Sequence, residues 1–317
     1  MTRQHYYLSE LKGEYNRMIP KEKVKTFDDI TIVTMLFNLG MKSLSRVKND
    51  NRLNYYEYYV KSLMKMPQLY DNIICFCDKE CADYLRTKRF SEKMYLIEMR
   101  IEELPLYSRI HLYETTYAKM QKHVDFLRKM NWPRKRHGSC TVRFPEQASP
   151  KEMALYALIN HSKISFLKWA EENNPFHTKY FYWLDAGCLQ EKYSLFWDGF
   201  SGEIKHVPQG VRISIHAPSF SAKRMKIRWS MYNIAYCWIP DQMGACFFGG
   251  DKENISKFSD EFENMITYFL NHGFISSEQA IITYMVKRHP EYFDIVVSSK
   301  PYSHLIENVA NGETFQL

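Results

Sequence analysis

The sequence predicts a single α/β domain: a Rossmann-like, mostly parallel twisted sheet flanked by helices. Three observations carry that prediction. Apolar and β-branched runs recur at 30–37, 72–77, 94–99 and 180–184, the pattern of strands buried on both faces. Segments with helical spacing separate them, as crossover connections require. The run Tyr180 to Leu184 ends abruptly in one acid, Asp185, with Gly187 two residues on. α/β folds place ligands at such carboxyl ends of strands.

The elements follow in order. Residues 1–27 read as an N-terminal arm, and 28–317 as the domain. Ile30 to Phe37 is the first strand, followed by Asn38, Leu39 and Gly40 as a loop. Tyr55 to Met66 has helical spacing. Asn72 to Cys77 is a second strand ending at Asp78, Lys79 to Thr87 a short helix, and Met94 to Met99 a third strand. Residues 106–150 read as an insertion, helical to Met130 and then loop-like, with Pro133, Gly138, Pro145 and Pro150. Ser149 and Pro150 start a helix, with serine at the cap and proline in the first turn. That helix and a second one lead to the strand ending at Asp185. Val211 to Ile215, Met243 to Phe248 and Ile295 to Val297 are further strands, and Gly249-Gly250 punctuates the end of one. Ile255 to Leu270 is an amphipathic helix, and 273–288 contains another.

Composition bounds the function classes. The 317 residues are 45% hydrophobic and 25% charged, ordinary for a globular chain with a sizeable core. The net charge of +7 favours anionic partners such as nucleotides, but falls short of a dedicated nucleic-acid binder. The one basic cluster, Arg128 to His137, is insufficient for that role without a matching stripe elsewhere. Seven cysteines without framework spacing argue against a disulfide scaffold and for a reducing compartment. No apolar run reaches the ~20 residues of a membrane span, and no signal-peptide segment opens the chain, so a cytoplasmic protein with at most peripheral membrane contact is expected.

Motifs of other classes are missing: no Walker-type loop, no Gly-x-Gly-x-x-Gly after the first strand, no Gly-x-Ser-x-Gly elbow and no His-Glu-x-x-His. What remains is a set of polar groups at strand ends. Asn38 follows strand one, Asp78 strand two and Asp185 the 180–184 strand, while Lys163 lies on the preceding helix. In a parallel sheet these ends share an edge. A strand-tip carboxylate there can hold a divalent cation, and a helix lysine can pair with phosphates. Each residue also has an ordinary structural use: a turn or cap acid for Asp185, a cap for Asp78, a solvated helix face for Lys163.

The order Ser149-Pro150, Lys163, Phe166-Leu167, Asn174-Pro175-Phe176 and Trp183-Leu184-Asp185-Ala186-Gly187 resembles the HtrL/YibB-like family, over about residues 28–300 and most strongly at 150–190. Gly249-Gly250 and Glu278-Gln279 match its later landmarks. More distantly the pattern is similar to nucleotide-sugar glycosyltransferases of the A-type fold, which carry Asp-x-Asp at the end of a central strand. Here Gly187 replaces the second acid.

The resemblance implies a glycosyltransferase that moves a sugar, from a nucleoside-diphosphate donor such as a UDP-sugar, to a glycan or protein-linked acceptor in polysaccharide biosynthesis. It places Phe37 and Asn38 beside the nucleotide and Asp78 on the base or ribose. Asp185 and Gly187 meet the ribose or a metal, Gly249 and Gly250 make room for sugar, and Gln279 faces the reaction centre. Glu278 and Asp251 are the candidate bases, Glu278 also suiting a helix dipole. A divalent cation, Mn²⁺ or Mg²⁺, would use Asp185 with His304 as a late ligand. Without a metal, Lys163, Lys300 and the Arg100 region must balance the diphosphate. The alternative is a non-catalytic nucleotide- or glycan-binding protein on the same scaffold, which the missing second acid motivates.

Overall fold

The computed structural model describes residues 29–38, 55–88, 94–129, 149–189, 213–217, 243–297 and 314–315. The arm at 1–27, the loop at 131–148, Lys300 and His304 lie outside them. The strands are β1 (Ile30–Leu36), β2 (Ile73–Cys77), β3 (Tyr95–Glu98), β4 (Tyr180–Leu184), β5 (Ile213–Ala217), β6 (Phe247–Asp251), β7 (Phe293–Val297) and β8 (Thr314–Phe315). The helices are α1 (Tyr55–Leu63), α2 (Lys79–Thr87), α3 (Ile110–Lys129), α4 (Pro150–Asn173), α5 (Lys252–Asn271) and α6 (Glu278–Arg288).

One mixed sheet runs β3-β2-β1-β4-β6-β5-β7-β8. Strands β3, β2, β1 and β4 are parallel, as the continuous apolar runs predict. Strand β6 enters antiparallel between β4 and β5, and β5 pairs parallel with β7. The sheet is therefore α/β as expected, with its parallel half on one side of β4 and a mixed half on the other.

Strand alternation sends side chains to two separate cores. Val33, Met35, Phe37, Phe181 and Trp183 face the layer of α3, α4, α5 and α6. Ile32, Leu36, Tyr182 and Leu184 face the layer of α1 and α2. Trp183 and Asp185 are two apart on one strand, so Asp185 follows Trp183 toward the α4 side.

Local signals place several boundaries as read. Asp78 caps α2 by accepting from Cys81 N–H (2.8 Å). Ser149 and Glu152 form a reciprocal capping box with Pro150 in the first turn of α4. Three expectations are corrected. The segment from 150 to 173 is one helix of 24 residues rather than two, and it is buried around most of its surface, because α3 and α5 flank it while β1 and β4 cover it. Residues 110–129, read as part of an insertion, form a helix whose Tyr113, Tyr117 and Met120 lie in the main core. Gly249-Gly250 does not end a strand; both glycines lie within β6. Gly249 stands opposite Tyr182, and a Cβ there would come 2.2 Å from the Phe181 carbonyl oxygen and 2.6 Å from Tyr182 Cγ. The glycine lets the Tyr182 ring lie across the strand and stack on Phe247 at 5.4 Å.

The Asn174-Pro175-Phe176 motif closes the opposite edge of the sheet. Asn174 takes the left-handed conformation (φ 38°) that stops α4. Its side-chain amide brackets Thr178, accepting from Thr178 N–H and donating to the Thr178 carbonyl, both at 2.9 Å. Thr178 Oγ1 then meets Thr31 Oγ1 at 2.6 Å, fixing β4 beside β1. The first half of the distinctive motif thus sets register, and its second half, Trp183 to Gly187, builds the site.

Candidate functional site

The site sits at the carboxyl tip of β4, where three elements bring charge together. Lys163 comes from the middle of α4, Asp185 from the strand tip, and Glu278 from the first turn of α6. The Lys163 ammonium lies 2.8 Å from Asp185 Oδ1 and 3.0 Å from Glu278 Oε1, and donates to the Ala245 carbonyl at 3.4 Å. An ammonium has three N–H donors, and each has an acceptor here. The ring of Trp183 covers the same cation at 5.8 Å.

Exposure grades the three residues. The side chains of Lys163 and Glu278 are 4% and 7% exposed, and that of Asp185 is 32% exposed. Burial alone would push the lysine pKa down, but Asp185 and Glu278 outweigh it and hold it well above the ordinary value. Lys163 therefore stays charged, clamped between a buried acid and an open one.

Asp185 is fixed on one side only. Its Oδ1 accepts from Lys163 and from the Trp183 indole N–H at 2.6 Å. Its backbone N–H donates to the Cys246 carbonyl at 2.8 Å, extending the β4–β6 ladder by one rung. Gly187 lies in the turn that follows, closed by Cys188 N–H to the Asp185 carbonyl at 2.9 Å. With Oδ1 held by two donors, the carboxylate is fixed in place yet still partly open to solvent.

A buried histidine anchors the start of α6. The His161 ring joins the Ser276 carbonyl at Nε2 and the Tyr113 hydroxyl at Nδ1, each at 2.8 Å. A carbonyl only accepts, so Nε2 carries the proton and Nδ1 accepts from the tyrosine. Burial pushes the His161 pKa down to about 4, and nearby Lys163 acts in the same direction, so the ring is neutral. Ser277 caps α6 next door, which places Glu278.

The remaining expected residues divide. Asn38 and Asp78 do lie at the same edge, and by strand spacing the β2 tip is about 10 Å from that of β4. Asp78, however, is committed to structure: Oδ1 caps α2 and Oδ2 accepts from Asn38 N–H, while Asn38 Nδ2 donates to Glu80 at 2.9 Å. Phe37 is buried against Phe166 rather than facing a nucleotide. Arg100 pairs with Glu103 at 3.0 Å. Gln279 sits half-buried beside Glu278. Asp251 is corrected outright: β6 runs antiparallel to β4, so Asp251 stands opposite Tyr180, at the far edge. Five rungs separate it from Asp185, roughly 16 Å, and its side chain caps α5 through Asn254 N–H. Gly249 and Gly250 follow β6 away from the site.

Comparison with known proteins adds a family. The sequence model of a family described as "Bacterial protein of unknown function (HtrL_YibB)" matches residues 28–303. The chain belongs to the HtrL_YibB family. No curated protein matches it. The match spans both halves of the distinctive motif, the register-setting Asn174-Pro175-Phe176 and the Trp183-to-Gly187 site, and includes Lys163 and Glu278.

Among the described residues no three His, Cys, Asp or Glu side chains converge as a metal cage. Asp185 offers one oxygen and Gly187 none, against the six oxygens that Mg²⁺ takes. His304, the late ligand that the resemblance implies, lies outside the described residues. Among them also, no helix is long and apolar enough to cross a membrane.

Sequence reading missed Trp183, His161 and Ala245 as parts of the site. The first carried a signal: a tryptophan two residues before a strand-tip acid shares its face and can reach it. His161 and Ala245 carried none, because their partners lie 48 or more residues away.

Proposed function

We propose that this HtrL_YibB chain is a nucleotide-sugar-dependent glycosyltransferase that passes a sugar from a nucleoside-diphosphate donor to a glycan or protein-linked glycan acceptor. One observation carries the reading: Asp185, at the tip of the central strand, has Oδ1 locked by Lys163 and Trp183 while its side chain stays 32% exposed. A carboxylate oxygen held this way is a fixed, charged acceptor for the paired hydroxyls of a ribose or a sugar. Lys163 acts through Asp185, holding its charge and orientation. It does not reach a diphosphate, because its three donors are engaged.

The test is a panel of UDP-, GDP-, CMP- and TDP-sugars, scored by thermal shift and by mass-spectrometric detection of product, with and without Mn²⁺. A bound donor at a hundredfold its dissociation constant should stabilise the fold by ~2.7 kcal/mol. Asp185→Ala should lose both stabilisation and product. Full turnover by that variant sinks the assignment.

A second reading, a non-catalytic nucleotide- or glycan-binding protein, has its own observation. Glu278 is buried and ion-paired, and Asp251 lies at the far edge, so neither candidate base stands open to an acceptor hydroxyl. Stabilisation by a nucleotide sugar with no product from any donor supports this reading.

A further inference from the structure

The turn after Asp185 brings two thiols together beside the site. Cys188 Sγ lies 3.7 Å from the Cys246 carbonyl, the same carbonyl that accepts from Asp185 N–H. Both thiols are free and partly exposed, whereas Cys75, Cys77 and Cys81 are fully buried. Cys246 stands immediately before β6 and opposite Asp185, and the turn that follows Asp185 folds Cys188 back against the Cys246 backbone.

We propose that Cys188 and Cys246 are an oxidative modification site, joined by a peroxide into a reversible disulfide at the rim of Asp185. The chemistry balances in two steps. The Cys246 sulfur attacks one peroxide oxygen and becomes a sulfenic acid, releasing one water. The Cys188 sulfur then attacks the sulfenic sulfur; its proton leaves with the displaced hydroxide as a second water, and the S–S bond forms. Two thiols are oxidised and one peroxide is reduced. The Cys246 thiol, burial and the Asp185 charge raise the Cys188 pKa, so Cys188 is the poorer first nucleophile and takes the second attack, made through its thiolate fraction. The crosslink would tie the 185–188 turn to residues 245–246, whose Ala245 carbonyl holds Lys163. Oxidation state is thereby coupled to the segment that carries Asp185, whatever ligand the site takes.

The experiment treats the reduced full chain with hydrogen peroxide, alkylates with iodoacetamide, digests without reductant and maps peptides by mass spectrometry. The expected product joins the Cys188 and Cys246 peptides, two hydrogens lighter than the free pair, and dithiothreitol restores both alkylation sites. In Cys188→Ser, Cys246 should instead be trapped by dimedone as the sulfenic acid. Cys188 and Cys246 both still alkylated after peroxide, or a crosslink that pairs either with another cysteine, overturns the proposal. The wild-type map decides the matter even where a variant fails to fold.

Discussion

Replacing Lys163 with methionine removes a cation that holds two carboxylates at the tip of β4. Both touch its nitrogen, at 2.8 and 3.0 Å, so their nearest oxygens lie within about 6 Å of each other. At an effective dielectric near 20, two like charges at that distance repel by about 3 kcal/mol. Glu278, 7% exposed, also loses the partner that offset its burial. Together these place Lys163→Met in the range of about 3–5 kcal/mol measured when one member of a buried ion pair is deleted. Methionine keeps most of the volume, so the cost is electrostatic rather than a cavity. The assay is urea unfolding of Lys163→Met, Glu278→Gln and the double variant. The double variant should recover about 2 kcal/mol relative to Lys163→Met, since only the half-open Asp185 then lacks its partner. The sign with pH follows. A stranded carboxylate binds a proton more readily folded than unfolded, so the Lys163→Met deficit should shrink as pH falls from 8 to 5. A single-variant cost below about 1 kcal/mol, or strictly additive losses, refutes the clamp.

The other predictions test neighbouring parts of the structure. Gly249→Ala should cost about 3 kcal/mol in urea unfolding, because its Cβ meets the Phe181 carbonyl at 2.2 Å and backbone cannot easily give way; a cost under ~1 kcal/mol would show that the β4–β6 register is wrong. Asp78→Ala should lower stability by about 1–2 kcal/mol through the α2 cap and the Asn38 tether, yet keep any nucleotide-sugar stabilisation that Asp185→Ala abolishes. His161 is neutral when folded, with a pKa pushed down to about 4, while the unfolded ring titrates near 6.5. The unfolded state therefore binds the extra proton, and stability should fall as pH drops from about 6.5 to 4, by up to about 3 kcal/mol. In His161→Gln that slope should flatten; an unchanged urea-midpoint profile counts against a buried neutral imidazole.

How legible the site was depends on how far apart its parts lie in sequence. Asp185 and its strand stood out because an apolar run stopping at an acid is a contiguous pattern. The Asp78 and Ser149 caps were readable for the same reason, each being satisfied within three residues. Lys163 was visible as a residue but not as a buried one. A lysine on a helix is ordinarily solvated, and only the packing of α4 between α3, α5 and the sheet makes this one internal. Glu278 was recognised as a candidate, yet its role changed once its carboxylate proved to face Lys163 instead of an open rim.

The sequence by itself determined the element types, most of their boundaries, the α/β class and the acid at the strand tip. Each of these follows from periodicity and capping chemistry acting over a few residues. The reversal of β6 and the strand order were decided only in three dimensions. Alternation along a strand reads the same whether it runs parallel or antiparallel to its neighbour. The reversal of β6 carries Asp251 to the far edge and brings Ala245 and Cys246 to Asp185, and no local pattern in the chain encodes that exchange.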